Sequence, residues 1–280
     1  MITECGHKLI MDFPYDQIKL QSTMNQETPE APARRRKRDF ASFQLAPLKP
    51  EQEADTTQNR AYRALKTAIL GGTFYPGTPV TLAKLSDMLG TSEMPVREAL
   101  KRLTAEGAFE ALPNRSARIP ILSKPVVKQI LDLRVELEGR AAAQAVEHLA
   151  KRHIDQLVAF DEAMGKALDN HELKQYVALN MEFHFTIYRA AANEPLLSLI
   201  EALWLRMAPV VAFNLTEARN AAAQFDRVGR SHHGNIVKAF QAQDPGRAAR
   251  EIRADLLHPS TFTRYFDELP TILSGAKPRS

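Results

Sequence analysis

Apolar residues recur with the spacing of an amphipathic helix over most of the chain. Three helical stripes precede residue 105: Tyr62, Leu65, Ile69 and Leu70; Leu82, Leu85, Met88 and Leu89; Val96, Leu100 and Leu103. The stretch "AFEALPNRSARIPI" that follows is too short for another helix and predicts two strands joined at residues 113–115. Beyond Ser123 we expect helices over roughly 124–147, 151–168, 172–192, 195–219, 221–242 and 245–258.

The first three helices have clear end signals. The segment "GGTFYPGTPV" holds three glycines and two prolines and breaks the first helix. Thr81 is suited to cap the second helix, which ends at Gly90, and Ser92 is suited to cap the third. Three helices followed by a strand pair predict a winged helix-turn-helix.

The fold class expected from this pattern is mainly α. A disordered basic leader (1–54) precedes an N-terminal winged helix-turn-helix domain (55–120). A linker (121–124) leads to a C-terminal all-α helical bundle (125–265), and a flexible tail (266–280) ends the chain. The leader carries the run Arg34 to Arg38, either a solvated tail or an arm that adds non-specific attraction to phosphate.

The composition of the 280 residues is ordinary for a globular protein, with 44% hydrophobic and 25% charged residues and a net charge of +4. The single cysteine, Cys5, excludes an internal disulfide and a thiolate zinc cluster. No apolar run approaches the ~20 residues that span a bilayer, and the N-terminus lacks a secretory signal, so we expect a cytoplasmic protein without a membrane partner.

The third helix predicts a DNA-reading surface. Its apolar stripe leaves Arg97, Lys101 and Arg102 on the outer side. Arg97 can donate two hydrogen bonds to a guanine, while Lys101 and Arg102 can contact phosphates. Ser92 and the free N–H groups at the helix start also suit a phosphate oxygen, and we expect Glu93 and Pro95 of this first turn to lie at the DNA surface as well.

The N-terminal region resembles the DNA-binding domain of the GntR family of bacterial transcription regulators over about 65 residues. The segments "LAKLSDMLGTS" and "PVREALKRLTAEG", which begins at Pro95, carry the resemblance. It implies a homodimer on a pseudo-palindromic double-stranded DNA operator, with Arg97 among the base-reading residues. Two departures are Glu93, where relatives often have a basic residue, and the wing tip, where Asn114 and Arg115 stand in place of glycine.

In the helical region, Asn180 and His184 lie four residues apart and share one helix face with apolar neighbours. His233 and Asp255 likewise lie on the apolar sides of their helices. Buried polar groups are costly unless they are paired or ligated. Taken singly, each of these four residues is more simply explained as a polar core residue with its hydrogen bonds satisfied, or as a group on the helix surface.

This region, about 125–265, resembles the FCD effector domain of the FadR subgroup, through "LRVELEGRAA", "NMEFHFTIYRAAANEPLL" and "SHHGNIVKAFQAQDPGRAAREIRADLLH". The resemblance implies a divalent metal, zinc, nickel or manganese, that receives a small carboxylate effector. The matching positions are Asn180, His184, His233 and Asp255, with Asn and Asp in place of an Asp and a His. His232 or His258 is the alternative ligand. Arg134 is the candidate for the effector carboxylate, with a salt bridge to Glu136 or Glu138 as its alternative.

These features favour a ligand-responsive repressor that is not an enzyme. One alternative is an architectural DNA-binding dimer without an effector. The other is a metal-dependent hydrolase, which would need a general base such as Glu182, on a different helix face from His184.

Overall fold

A computed structural model describes residues 45, 55–112, 116–217, 222–258 and 265–267. Its helices and strands follow the predicted order. They are α1 Thr57–Leu70, β1 Pro79–Thr81, α2 Leu82–Leu89, α3 Glu93–Ala105, β2 Glu110–Leu112, β3 Ser116–Arg118, α4 Lys124–Ala145, α5 Lys151–Asp169, α6 Leu173–Ala190, α7 Glu194–Glu217, α8 Ala222–Gln241 and α9 Pro245–Leu256. The fold is mainly α, with a winged helix-turn-helix followed by a helical bundle, as expected.

The helix ends in the first domain follow from local chemistry. The Thr81 hydroxyl accepts a hydrogen bond from the Lys84 amide, which satisfies one free donor at the start of α2. Gly90 ends α2 in the left-handed conformation, with φ of 63°, which glycine adopts without steric cost. Ser92 occupies the N-cap position of α3, as predicted, but its hydroxyl accepts no hydrogen bond from that helix.

The wing is part of a three-stranded antiparallel sheet with strand order β1-β3-β2. The predicted pair, β2 and β3, is confirmed, with Ala111 opposite Ala117. The first strand, β1, was not predicted, because three residues that include Pro79 give no alternating pattern. The wing turn, which contains Asn114 and Arg115, lies outside the described residues, as do the basic leader through residue 44 and most of the tail.

The six helices of the bundle begin and end within a few residues of their predicted positions. The seventh helix corrects one expectation from the sequence. Its segment Glu194–Asn214 is long and apolar enough to cross a membrane by length and composition, whereas no run of that length was expected. Slightly more than half of the most apolar window is buried in the protein, as in the core helix of a globular fold.

The winged domain packs against the bundle through α7. Lys66 on α1 forms an ion pair with Glu201 on α7, with Nζ 2.5 Å from Oε2. Gly72, which follows α1 with φ of +73°, lies so close to the bundle that an added Cβ would be 2.8 Å from both Ala212 and Val177. The described elements belong to one compact unit, so α7 contacts both the DNA-reading domain and the rest of the bundle.

Candidate functional site

The outer side of α3 carries the three predicted basic residues. Lys101 and Arg102 are exposed, and Arg97 is half-buried, with 32% of its side chain accessible. Each has an acidic neighbour: Arg97 lies 3.6 Å from Glu93, Lys101 pairs with Glu98, and Arg102 pairs with Glu106. These exposed pairs are weak in water, so DNA phosphates can compete for the cations.

The start of α3 offers both an acceptor and free backbone donors. The Ser92 hydroxyl is exposed and not used as a cap, which leaves the first N–H groups of the helix available to an anion. Glu93 is exposed beside it. Pro95, also expected at the DNA surface, is buried on the packed face with Val96, so its position supports the seating of the helix instead of a DNA contact.

Arg102 is held by a joint between α1 and α3 that the sequence did not reveal. Its guanidinium lies over the Tyr62 ring at 3.6 Å, and the Tyr62 hydroxyl donates to the Glu106 carboxylate at 2.9 Å. Burial, the hydrogen bond to Glu106 and the charge of Glu106 raise the pKa of Tyr62 to about 12. The hydroxyl therefore stays protonated and joins the recognition helix to the first helix.

Three of the four predicted metal ligands converge in the bundle. His184 on α6, His233 on α8 and Asp255 on α9 each offer an atom, and these atoms lie within 4.8 Å of one another. The distance from His184 Nε2 to Asp255 Oδ2 is 3.3 Å, and that from His233 Nε2 to Asp255 Oδ1 is 3.9 Å. Both imidazoles are about 1% exposed. Among the described His, Cys, Asp and Glu residues, this is the one such cluster.

The electrostatics of this cluster keep its carboxylate ionised. Burial raises the pKa of Asp255, but a hydrogen bond with His184 and the charges of His233 and His184 outweigh burial and lower the pKa to about 2. A deprotonated carboxylate is the form that binds a metal ion.

The remaining candidates lie around this cluster. Asn180 is half-buried one helical turn before His184 on α6, which agrees with the predicted shared face. The rings of His232 and His258 are 5.9 Å apart and form a separate pair, and neither belongs to the converging set. Glu182 pairs with Arg189 on its own helix at 3.3 Å.

The donor set fits a divalent cation. Two imidazole nitrogens and a carboxylate oxygen are ligands that zinc and other first-row metals accept. Bonds of about 2.0–2.2 Å place two ligand atoms up to roughly 4.4 Å apart across a metal ion, so the separations of 3.3 and 3.9 Å to Asp255 are compatible with one shared ion. His184, His233, Asp255 and the nearby Asn180 are the residues that would hold it.

Arg134 forms the contact that was the alternative to effector binding. Its Nε donates to Glu138 Oε1 at 2.6 Å, and its guanidinium also lies 4.5 Å from the Trp204 ring. Arg134 is 2% exposed and Glu138 is fully buried. The role of Arg134 toward an effector stays a prediction, since the structure shows it occupied by protein groups.

Two further residues beside the cluster were not predicted from the sequence. Tyr188 on α6 donates a hydrogen bond to Glu138 Oε2 at 2.5 Å and lies 3.1 Å from His184 Nδ1. Burial and the neighbouring Glu138 raise the pKa of Tyr188 well above its usual range. Asp161 on α5 lies behind His233, with Oδ1 3.9 Å from Nδ1. Only the i, i+4 spacing of Arg134 and Glu138 was visible in the sequence; the other contacts join distant segments.

Comparisons with known proteins agree with the two regions. Residues 57–119 match the family model described as bacterial regulatory proteins, gntR family, and residues 129–258 match the FCD domain. The Escherichia coli HTH-type transcriptional regulator McbR is 32% identical over 201 residues, which cover 72% of this chain and 89% of McbR. A protein of Paenarthrobacter nicotinovorans named "Probable D-xylose utilization operon transcriptional repressor" is 30% identical, over 60% of this chain and 72% of its own.

The solved structure of E. coli McbR/YncC has the same architecture. It superposes with a TM-score of 0.66 and 25% sequence identity, covering 79% of this chain and 99% of that one. With a DNA-reading helix in a winged domain and a histidine cluster in the bundle, the chain belongs to the GntR family of bacterial transcriptional regulators and carries the FCD effector-binding domain.

Proposed function

We propose that this regulator acts as a homodimeric repressor that binds a pseudo-palindromic operator and responds to a small carboxylate. The observation that carries the DNA-binding part is the outer face of α3, where Arg97 and Lys101 follow an unused N-cap hydroxyl at Ser92 along the helix. A recognition helix of this length reads only a few base pairs of the major groove. Two copies, one helical turn of DNA apart, would supply the remaining specificity.

The residues that read the operator have distinct roles in this proposal. Arg97 reads a guanine, Glu93 accepts from a cytosine amino group, and Lys101 and Arg102 contact phosphates. The wing residues Asn114 and Arg115 extend the contact, with Arg115 in the minor groove. Pro95 acts indirectly, by fixing the first turn of α3.

The effector site of the proposal is the histidine cluster. A divalent ion held by His184, His233 and Asp255, with Asn180 beside them, would supply open coordination positions for a carboxylate. Arg134 could bind that carboxylate only by opening its ion pair with Glu138. We therefore place the effector's carboxylate at the metal position, with Arg134 as a contact only in a rearranged state.

The seventh helix is the proposed route from the effector to the DNA-reading domain. Trp204 on α7 lies against the His184 ring, with 5.6 Å between ring centroids. One turn earlier, Glu201 on the same helix holds Lys66 of α1. A shift of α7 on effector binding would move the winged domain, and a small change in the spacing of two reading heads is enough to lower operator affinity.

The test of DNA binding is a gel-shift or anisotropy titration with the intergenic DNA upstream of the gene. Specific binding supports the regulator proposal, and equal affinity for scrambled DNA of the same length contradicts it. Light scattering of the complex tests for two chains per operator. Transcription from that promoter in vitro, with and without the protein, distinguishes repression from activation.

The architectural alternative predicts that no small molecule changes the melting temperature of the protein. A library of small carboxylates, added with zinc or nickel, should raise the melting temperature if the effector proposal holds. No shift with any carboxylate would favour the architectural alternative. The family is one of transcriptional regulators, and we place the protein in the cytoplasm, where its DNA is.

A further inference from the structure

Behind His184 lies a buried chain of polar side chains that core packing alone does not require. Arg134 and Glu138 are on α4, and Tyr188 is on α6; all three are at most 2% exposed. A buried ion pair is costly to desolvate and is often no more stable than apolar residues of the same volume. Its presence beside a candidate metal ligand therefore indicates a role for its hydrogen bonds.

The hydrogen bonds of this chain run in one direction. Arg134 donates to both oxygens of Glu138, at 2.6 and 3.3 Å, so Glu138 acts as an acceptor. The Tyr188 hydroxyl donates to Glu138 Oε2 at 2.5 Å, a length typical of an O–H group bound to a carboxylate. A tyrosine hydroxyl has one proton, so toward His184 its oxygen can only accept.

These hydrogen bonds determine which ring nitrogen of His184 carries a proton. Its Nδ1 lies 3.1 Å from the Tyr188 oxygen and must carry the ring proton to donate to it. In the neutral ring, Nε2 then holds a lone pair, and this atom faces Asp255 Oδ2 at 3.3 Å. A second ring proton on Nε2, which makes the hydrogen bond to Asp255, or a metal ion in place of that proton then joins the two atoms.

We propose that Arg134, Glu138 and Tyr188 form a relay that fixes His184 in the Nδ1–H tautomer and so presents Nε2 as a metal ligand. The inference rests on the metal site proposed above and goes beyond it, because it assigns Arg134, Glu138 and Tyr188 as positioning residues. Outer hydrogen bonds of this kind orient a histidine ligand and raise its basicity. They also prevent the His184 ring from turning Nδ1 instead of Nε2 toward the metal position.

The direct test reads the tautomer of His184 in the full-length protein. Protein labelled with ¹⁵N-histidine and freed of metal by chelation is measured by two-bond ¹H–¹⁵N NMR, which shows which ring nitrogens carry protons. The His184 signal is assigned by its loss in His184→Gln. We expect a proton on Nδ1, with or without a second proton on Nε2. A ring with its proton on Nε2 alone would mean that the chain runs in the opposite direction, and would overturn the relay.

The variant test uses Tyr188→Phe, which keeps the ring and removes only the hydroxyl. Titration with Zn²⁺ or Ni²⁺ alone, against a chromophoric chelator, should show metal affinity reduced about 10- to 100-fold. The histidine spectrum should at the same time show a mixture of tautomers. The matched control is Tyr265→Phe, which removes a buried hydroxyl bound to the Leu122 carbonyl in another cluster and should leave the metal affinity unchanged.

The outcomes separate the inference from the proposed site. Wild-type protein that binds neither metal contradicts the metal site, while the tautomer measurement still decides the relay. Wild-type protein that binds metal together with a Tyr188→Phe variant of equal affinity contradicts the relay alone. If Tyr188→Phe does not fold, the wild-type tautomer remains the deciding observation.

Discussion

At the scale of single residues, the DNA-reading face of α3 divides its cations by exposure. Arg97 is half-buried beside Glu93, whereas 67% of the Lys101 side chain is accessible. A cation seated near the helix start is positioned to contact base edges, while one on a free, exposed side chain is suited to phosphates. Substitutions of Arg97 and Lys101 should therefore change DNA binding in different ways.

We predict that Arg97→Ala weakens binding by about 1–3 kcal/mol, roughly 5- to 150-fold, for each half-site and relaxes the preference at one base pair of each half-site. The reason is the loss of the bidentate contact with guanine. Anisotropy titrations against the operator and single-base variants measure both effects. An unchanged base preference would contradict base reading by Arg97.

The comparison variant for that experiment is Lys101→Ala. Loss of a phosphate contact should weaken binding to all sequences by a similar factor and lower the slope of log affinity against log salt by about one per site. Its melting temperature should stay close to that of the wild type, since the Lys101 pair with Glu98 is exposed. A salt slope identical to the wild type would exclude the phosphate contact.

Helix periodicity alone could group residues of the histidine cluster only where one helix repeats its own face, and His233 and Asp255 were added by the family resemblance. Asn180 and His184 could be placed together because they are four residues apart on α6. The contact of Tyr188 with Glu138 spans 50 residues, and Asp161 reaches His233 from another helix. Such contacts depend on the rotation of each helix against its neighbours, and the apolar pattern fixes that rotation too coarsely to identify partners.

At the scale of elements, helix ends were predictable because capping and turn chemistry is local. Thr81, Gly90 and Ser92 each stand where the sequence placed them. The strand β1 was not predictable, since its pairing with β3 depends on residues 37 positions away, as for Val80 and Ala117. The membrane-like composition of α7 is likewise explained only by its position between the winged domain and the bundle.

Gly139 on α4 lies against the Arg253 side chain of α9. A Cβ added to Gly139 would lie 2.7 Å from Nε and 3.1 Å from Cγ of Arg253, two residues before Asp255. We predict that Gly139→Ala separates the two helices, destabilises the protein by about 1–3 kcal/mol and weakens metal binding. Chemical denaturation and metal titration measure the two effects.

The control for the glycine experiment lies on α8. An added Cβ at Gly234 meets nothing within 4 Å, so Gly234→Ala should stabilise the helix by about 0.5–1 kcal/mol through lower backbone entropy of the unfolded chain. We expect the two substitutions to change the free energy of unfolding in opposite directions. Equal stabilisation by both would show that α4 and α9 do not require the glycine.

The joint between α1 and α3 should be sensitive to alkali. The pKa of Tyr62 is raised from about 10 to about 12, chiefly by burial, so the protonated hydroxyl contributes stability that is complete below pH 10 and is lost as the pH rises toward 12. We predict that wild-type protein loses more unfolding free energy between these pH values than Tyr62→Phe does. Tyr265 has a similarly raised pKa in both proteins, so its contribution cancels in the comparison. Parallel losses in the two proteins would exclude Tyr62 as the titrating group.

At the scale of the whole molecule, α7 contacts the histidine cluster and the winged domain within one turn. Trp204 lies against His184, and Glu201 holds Lys66 in a pair that is only partly accessible to water. Lys66 in turn lies 5.9 Å from the Tyr62 ring, which contacts Arg102 of the recognition helix. Spatial continuity alone does not demonstrate coupling, so the ion pair has to be tested by energetics.

We predict that Lys66→Glu abolishes the effect of metal and carboxylate on operator affinity, because two carboxylates would then face each other across the domain contact. The double variant Lys66→Glu with Glu201→Lys should recover much of that effect, since it restores the ion pair with reversed polarity. Operator titrations with and without the ligands give the coupling free energy of each variant, expected to change by about 0.5–2 kcal/mol. Arg63→Glu, the same charge change on an exposed position of α1, is the control and should leave the ligand effect in place. Loss of the effect in Arg63→Glu, or no recovery in the double variant, would show that α7 does not act through the Lys66 pair.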